Sequence, residues 1–388
     1  MDLATLNEML CPAGDAALAV AVTLGPTEAK YPAALDRLRK QFPEPLARAA
    51  LDTVLLRAKG RAKFGHADRM VFDREGLEMA SGEAVAAYRA SRFVAAGFRS
   101  VADLGCGIGG DAIAFTAAGL AVTAVDRDPV RLRMAEANLA AHGLSARFVC
   151  GDVLSADLGG CEAGFADPGR RPGGKRVRAV DAGEPPLSAL VARFPADYPL
   201  AVKLAPGVAR SELADFDADP EFIAADGELK ECVLWFGPFR TGQPRATLLP
   251  GHHTLTAEPG DPPDSGPVGA YLFDPNPAAV RADLVGELAR RLRAWPVEPG
   301  YAMLSADELM SDPFATAYRV EEVMPADARR VGAWLKERGV GRVTILNRAS
   351  SADAESFGKK WKLTGDDCRS VVLTRAEGKQ VAVIAVRV

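Results

Sequence analysis

Paired cysteines are missing from this sequence. Its six cysteines, Cys11, Cys106, Cys150, Cys161, Cys232 and Cys368, are scattered with no CxxC spacing. That argues against a zinc knuckle or a disulfide framework and for reduced thiols in a cytoplasmic protein. There is no run of ~18 apolar residues, so a membrane-spanning helix is not expected. The first residues, with Asp2 and Glu8 and no basic start, do not read as a secretory signal. Histidine is scarce, with four residues in all. His252 and His253 are adjacent, so in a strand their side chains point to opposite faces. No carboxylate-rich set lies near them in sequence, and no metal is expected, because a site needs about three or four converging ligands. His66 and His142 read as surface or locally satisfied residues. An excess of positive charge is missing too: 47 Lys and Arg against 51 Asp and Glu leave a net charge of −4. This excludes a polycation that grips nucleic acid by bulk charge, though not a local basic patch. There is no internal repeat and no low-complexity tail, and nothing in the sequence speaks to oligomeric state.

What is present is ordinary globular material. The 388 residues are 48% hydrophobic and 25% charged, enough for roughly two or three domains with cores that need no disulfide. Residues 1–70 read as a helical region: Pro32–Lys40 and Pro45–Lys59 carry apolar residues at spacings of three and four, with Leu46, Ala50, Val54 and Leu55 on one face. Arg57, Lys59, Arg61 and Lys63 cluster at its end. From about residue 84 helices and strands alternate. Ala84–Phe98, Asp111–Ala118 and Pro129–His142 read as helices, and Val101–Leu104, Leu120–Val125, Ala146–Cys150 and Ala163–Ala166 as strands. Leu200–Leu204, Glu231–Phe236 and Ala246–Leu249 supply further apolar runs, in which Trp235 and Phe236 read as core. Such alternation predicts an open parallel sheet covered on both faces. Pro259–Pro267 marks a domain boundary. Beyond it, Pro277–Ala294 reads as one long amphipathic helix, Ala328–Arg338 as a helix, Val343–Leu346 as a strand, and Ser370–Thr374 with Gln380–Val386 as a β-hairpin.

The strongest local signal is Val101-Ala-Asp-Leu-Gly-Cys-Gly-Ile-Gly-Gly110, a glycine loop between a strand and a helix. Without β-carbons such a loop lets the backbone approach a ligand beside a helix N-terminus. Gly105, Gly107 and Gly110 also satisfy the dinucleotide pattern GxGxxG, and Asp126 stands about 20 residues on, where an acid holds the ribose in NAD enzymes. Three further features favour S-adenosylmethionine. Asp103 precedes the loop, where an acid would collide with a pyrophosphate but suits a cationic, zwitterionic group. Asp152 ends the third strand, where a carboxylate accepts a hydrogen bond from the adenine amino group. Asp167-Pro-Gly-Arg-Arg171 ends the fourth strand, beside the place for a methyl acceptor. All of these fall at strand C-termini, where open α/β sheets bind ligands. Gly105, Gly107 and Gly109 then shape the loop and Asp126 meets the ribose. Cys106 has no paired base and reads as a small residue that fits the loop, not a nucleophile.

Residues 101–152 resemble the class I adenosylmethionine-dependent methyltransferases. Within that class the chain looks most like the bacterial group whose C-terminal module is called THUMP-like. The matching stretches are Arg61-Ala-Lys-Phe64, Glu75-Gly-Leu77, Tyr88-Arg-Ala-Ser-Arg92, the glycine loop, Asp167-Pro-Gly-Arg-Arg171, Val202-Lys-Leu-Ala-Pro-Gly207, Glu228–Trp235, Tyr271-Leu-Phe-Asp-Pro275 and Val371-Val-Leu-Thr-Arg375. They run in order from about residue 45 to the end. The resemblance implies an α/β fold: a Rossmann-like methyltransferase sheet over 71–262, the helical region at 1–70 before it, and a linker helix with a small THUMP-like α/β domain at 263–388. A more distant similarity links residues 73–171 to the cap guanine-N2 methyltransferases, through Asp73-Arg-Glu-Gly76 and Ser81-Gly-Glu83. It implicates Ser81, with Asp103, at the methionine end of the cofactor. Those enzymes carry a proline–proline–tryptophan motif where this chain has Pro168, Gly169, Arg170 and Arg171.

The acceptor side rests on Asp167, Arg170 and Arg171. A carboxylate can fix an acceptor amine and aim its lone pair, and guanidinium groups recognise phosphate bidentately. Lys175, Arg176 and Arg178 extend the basic run; the plainer reading is a solvated loop with one arginine paired to a structural carboxylate. Between Lys336 and Val388 stand eleven Lys or Arg against six Asp or Glu, an excess that can support phosphate contacts or simply cover a solvated face. Trp361, inside Lys359-Lys-Trp-Lys362, is a base-stacking candidate or a packing residue. In the family a Lys-Arg-Gly step follows the strand here; this chain has Asn347-Arg348-Ala349. The expected activity is methyl transfer by direct in-line displacement, with no metal and no covalent intermediate, to an rRNA or tRNA base. A small-molecule acceptor and a non-catalytic binder of cofactor and RNA remain as alternatives.

Overall fold

In the computed structural model the structure describes residues 1–169, 180–348 and 354–388. The chain divides into two compact units, Met1–Asp219 with Glu231–Gly242, and Pro220–Lys230 with Gln243–Val388.

The first unit begins with helices α1 (Leu3–Met9), α2 (Pro12–Thr23), α3 (Tyr31–Leu38) and α4 (Glu44–Gly60). Their starts are written locally. Asp2 caps α1 by accepting from Thr5 N at 2.8 Å, and prolines occupy the first turn of α2, α3 and α4, where no N–H partner is needed. Leu46, Ala47, Ala50 and Leu51 of α4 pack with α2 and α3 residues such as Ala17 and Leu38, and Val54 packs against the same cluster. Leu55 is half-buried and lies outside that cluster, and α4 is covered on a second side as well: Leu56 joins Leu6, Phe72, Ile108 and Met134 in another cluster. That second cluster ties the N-terminal helices to the glycine loop and to α8 (Pro129–Ala141).

After α5 (Arg74–Met79) and α6 (Glu83–Ala95) comes a sheet of β1 (Ser100–Leu104), β2 (Ala121–Asp126), β3 (Arg147–Cys150), β4 (Ala163–Ala166) and β5 (Leu200–Leu204), joined by α7 (Gly110–Ala117), α8 and α9 (Leu187–Arg193). Strand order is β3-β2-β1-β4-β5, all parallel. The next neighbour, Glu231–Trp235, is antiparallel to β5, with Ala201 opposite Trp235 and Leu204 opposite Cys232. The sheet is therefore mixed, not wholly parallel as the alternation predicted. A parallel return needs a crossover of a dozen or so residues, usually a helix, and between β5 and this strand the helical structure is one short 3₁₀ turn, Arg210–Leu213. Phe93, Phe115, Phe165, Trp235 and Phe239 form an aromatic core in the first unit, with ring centroids 4.8–6.0 Å apart.

The second unit contains most of β6 (Asp219–Ala225), the start of β7 (Glu228–Trp235), β8 (Arg245–Leu249) and β9 (His253–Thr256). β6 runs parallel to β8, which is antiparallel to β9. Its second sheet has the order β11-β12-β10-β13-β16-β15-β14. The strands are β10 (Tyr271–Pro275), β11 (Trp295–Pro296), β12 (Leu304–Ala306), β13 (Ala315–Pro325), β14 (Val340–Asn347), β15 (Asp367–Ala376) and β16 (Lys379–Arg387). Helices α10 (Pro277–Arg281), α11 (Val285–Leu292), α12 (Ala328–Glu337) and α13 (Ala354–Phe357) accompany them. The long helix expected over Pro277–Ala294 is two helices. Asp283 takes a left-handed φ of 61° between them, while the buried positions Ala278, Ala282, Ala289 and Leu292 keep helical spacing across the break. The β15–β16 hairpin closes on Glu377 and Gly378, both at positive φ, as a two-residue turn matched to strand twist requires.

Candidate active site

The site grows from the C-terminal ends of β1–β4, around the point where strand order reverses between β1 and β4. Gly105 N and Cys106 N donate to Val125 O at 2.8 and 3.0 Å, turning the chain sharply out of β1. Gly107 and Gly109 hold φ of 54° and 86°. A β-carbon on Gly109 would also stand 3.0 Å from Ala135 in α8, so the loop and the α7–α8 packing both demand glycine there. Asp126, at the end of β2, accepts from Gly107 N at 2.8 Å and from Asp128 N at 2.9 Å. Asp152 accepts from Leu154 N at 2.9 Å beyond β3.

These residues border a cleft of about 380 Å³. Of the residues singled out from sequence, Gly105, Gly107, Asp126, Asp152 and Asp167 line it together. Ser81, Asp103 and Gly109 do not line it, although Ala80 and Leu104 beside the first two do. Arg170 and Arg171, with Lys175, Arg176 and Arg178, lie outside the described residues. The opposite wall comes from Pro168, Gly169 and Glu184–Pro186. Gly169 and Glu184 exchange backbone hydrogen bonds of 3.0 and 2.9 Å. The Arg127 guanidinium, 2.5 Å from Glu184, holds that carboxyl below its usual range.

Asp103 is buried behind the cleft. It is 1% exposed, and its Oδ2 has no hydrogen-bond partner among the described residues. Burial, and then the neighbouring Asp111 and Asp167, push its carboxyl well above the usual value, with Arg89 acting against them. Ser81 Oγ is likewise buried, without a partner among the described residues. Orphaned polar atoms beside the cleft, together with a glycine cradle where a β-carbon on Gly107 would meet nothing within 4 Å, suit a polar ligand that lies against backbone. Burial pushes the Cys106 thiol up, opposite to what a nucleophile needs.

Two charged groups of the site were not anticipated. Arg89 of α6 is fully buried and paired with Asp111, which lines the cleft, and with Glu231. Its guanidinium lies 4.9 Å from the Phe165 ring centre. Burial opposes its charge, but the two carboxylates outweigh burial and raise its pKa. Burial raises the Glu231 carboxyl, with Arg89 opposing. The signal was available: Arg89 sits four residues from both Val85 and Phe93 on a buried helix face. The second group is Lys203, whose Nζ stands 2.5 Å from Asp167 Oδ2 and 3.4 Å from Met79 O. A lysine inside Leu-Ala-Val-Lys-Leu, a strand buried at every position, is the corresponding signal.

In the second unit Trp361 takes the packing role. It is half-buried, its ring lies 5.6 Å from that of Phe357, and its Nε1 donates to Ala328 O at 2.7 Å. Arg348 forms a bidentate pair with Asp274, with both bonds 2.8 Å, and Arg369 pairs with Glu321 at 2.6 Å. Lys336, Arg342, Lys359, Lys360, Lys362 and Lys379 are exposed. Among the described residues no group of three or more His, Cys, Asp or Glu is placed to hold a metal ion, and no helix is long and apolar enough to cross a membrane.

Comparison with known proteins agrees with this geometry. Residues 101–166 match the Methyltransferase domain family, residues 315–387 match the family described as THUMP domain-like, and residues 2–60 match a domain of unknown function. A crystal structure from Porphyromonas gingivalis W83, provisionally described as a methyltransferase, shares the fold. Its TM-score is 0.78 at 20% identity, over 96% of this chain and 98% of that one. Two curated proteins of Mycobacterium tuberculosis, from strains CDC 1551 / Oshkosh and ATCC 25618 / H37Rv, are each named an uncharacterized S-adenosylmethionine-dependent methyltransferase. Each is 32% identical over 337 residues, which is 84% of this chain and 92% of the relative. The chain belongs to the S-adenosylmethionine-dependent methyltransferases, and S-adenosylmethionine is its cofactor.

Proposed function

We propose that the enzyme methylates a base of RNA, with Asp167 positioning the acceptor. The observation that carries this reading is the Asp167 carboxylate at the end of β4: it lines the cleft, and its Oδ2 is held by Lys203. When bound, S-adenosylmethionine supplies a methyl group on a sulfonium, which the acceptor's lone pair takes in line as sulfur leaves as the neutral thioether. The chain's own part is orientation. Gly105, Gly107 and Gly109 keep the loop open to close approach, Asp126 takes the ribose hydroxyls, and Asp152 the adenine amino group. Ser81 and Asp103 take the methionine end, the role that the similarity to cap guanine-N2 methyltransferases gives to Ser81. Asp167 accepts a hydrogen bond from the acceptor's N–H and so fixes its lone pair in near-attack geometry. Arg170 and Arg171 contact the acceptor or its phosphate.

RNA is favoured by the THUMP domain-like match and by the exposed lysines around it. In domain terms, 1–70 is a helical region, 71–262 the methyltransferase domain, and 263–388 a linker and THUMP-like module that presents the RNA. Six free cysteines support a cytoplasmic location. The test is transfer of labelled methyl from S-adenosylmethionine to total RNA from cells lacking this protein, with Asp167→Ala in parallel. Label in RNA with the wild type alone is expected; label that enters only small molecules would overturn the RNA reading.

A further inference from the structure

Five aspartates crowd the cleft: Asp111, Asp126, Asp152 and Asp167 in its lining and Asp103 buried behind it. Such a surface attracts a cation, and the donor is a cation only until its methyl leaves. A carboxylate that attracts the donor more strongly in the ground state than in the transition state raises the barrier. Asp167 is the acid for which this matters most, because in the reading above it stands on the acceptor side, facing the methyl that moves.

One buried ammonium answers both problems. Lys203 is 5% exposed. It reaches two walls of the cleft from β5, the Asp167 carboxylate at 2.5 Å and the Met79 carbonyl at the end of α5 at 3.4 Å. Asp167 and Met79 both line the cleft. Among the described residues Lys203 is the group that hydrogen-bonds the Asp167 side chain, and it takes Oδ2. We infer that Lys203 is the positioning residue of the acceptor site: it turns Oδ1 of Asp167 toward the acceptor and offsets the carboxylate's charge, so that Asp167 orients the acceptor without trapping the cationic donor. This rests on the role of Asp167 given above.

The test reads charge at the methyl position without turnover. Sinefungin carries an amine where the cofactor carries its transferable methyl, whereas adenosylhomocysteine carries nothing there. Calorimetry on the full chain gives the ratio of the adenosylhomocysteine Kd to the sinefungin Kd. Removing the offsetting charge by Lys203→Met is expected to raise this ratio on the order of tenfold at the effective dielectric of a partly buried site. Adenosylhomocysteine affinity should stay within about threefold, which also reports that the variant is folded. Lys203→Gln, which keeps a donor toward Asp167 but no charge, should raise the ratio similarly. Asp167→Asn should lower it, because the lysine is then unopposed. The double variant Lys203→Met with Asp167→Asn leaves no unpaired buried charge and should return the ratio to near the wild-type value, a result that holds even if Lys203→Met alone folds poorly. A ratio unmoved by Lys203→Met or Lys203→Gln, while Asp167→Asn lowers it, overturns the role of Lys203 and leaves that of Asp167 standing. A ratio unmoved by Asp167→Asn overturns the placement of Asp167, and this inference with it.

Discussion

Replacing Arg89 by methionine removes the cation of a buried cluster and leaves two acids behind. Arg89 is fully buried; the side chains of Asp111 and Glu231 are 11% and 3% exposed. Breaking a buried pair by removing one partner costs about 3–5 kcal/mol, because the remaining charge has lost its compensation. Two acids lose a partner here, and Phe165 loses the guanidinium over its ring. Methionine nearly fills the volume, so the loss is electrostatic, not a cavity. At roughly 2–4 °C per kcal/mol for a unit of this size, the thermal midpoint should fall by about 6–20 °C. The loss should shrink on acidification. Burial already holds the Glu231 carboxyl above its usual value with Arg89 present, and without Arg89 it rises further. A carboxyl that binds its proton more tightly folded than unfolded destabilises fully above its folded pKa and is relieved as pH falls through it. Scanning calorimetry and urea melts from about pH 8 to about pH 5.5 measure both effects. Adding Glu231→Gln to Arg89→Met should recover part of the loss. A midpoint within about 3 °C of wild type at pH 8 would refute the reasoning, since it would mean that the cluster carries no buried charge.

Other predictions follow from single residues. Gly109→Ala should cost about 1–3 kcal/mol and weaken adenosylhomocysteine binding, since a left-handed φ of 86° and a 3.0 Å approach to Ala135 both oppose a β-carbon; melts with and without ligand check it. Asp103→Asn should stabilise the ligand-free protein at pH 8, because the raised carboxyl binds its proton more tightly folded and so opposes folding when ionised. That gain should vanish as the pH falls through the folded pKa, and cofactor affinity measured by calorimetry should drop. Trp361→Phe should lose about 1 kcal/mol in urea melts through the missing bond to Ala328 O.

What could be read from sequence divides along physical lines. The glycine loop was visible because positive φ at Gly107 and Gly109 excludes most other residues, so the backbone need is written as residue type. β1–β4 were visible as short apolar runs bounded by turn residues, and the β15–β16 hairpin by its apolar pair. The antiparallel strand beside β5 was not, since direction depends on the connection and not on the strand's own pattern. The break at Asp283 escaped because one left-handed residue leaves apolar spacing intact. β13 escaped because a register shift between Val320 and Glu322 disrupts its alternation. Arg89 and Lys203 escaped for a different reason: charge ordinarily marks the surface, and these two are buried because acids elsewhere in the chain await them.

The division of the cleft into a cofactor side and an acceptor side is tested most directly by single-turnover methyl transfer, with cofactor Kd measured in parallel, for wild type, Asp152→Ala and Asp167→Ala. Asp152→Ala should raise the cofactor Kd and recover its rate at saturation. Asp167→Ala should keep the Kd within about threefold and lose at least on the order of a hundredfold in saturated rate, the scale of a positioning group. If Asp167→Ala instead weakens cofactor binding and transfers at the wild-type rate once saturated, the carboxylate belongs to the cofactor side and the account of the acceptor site is wrong.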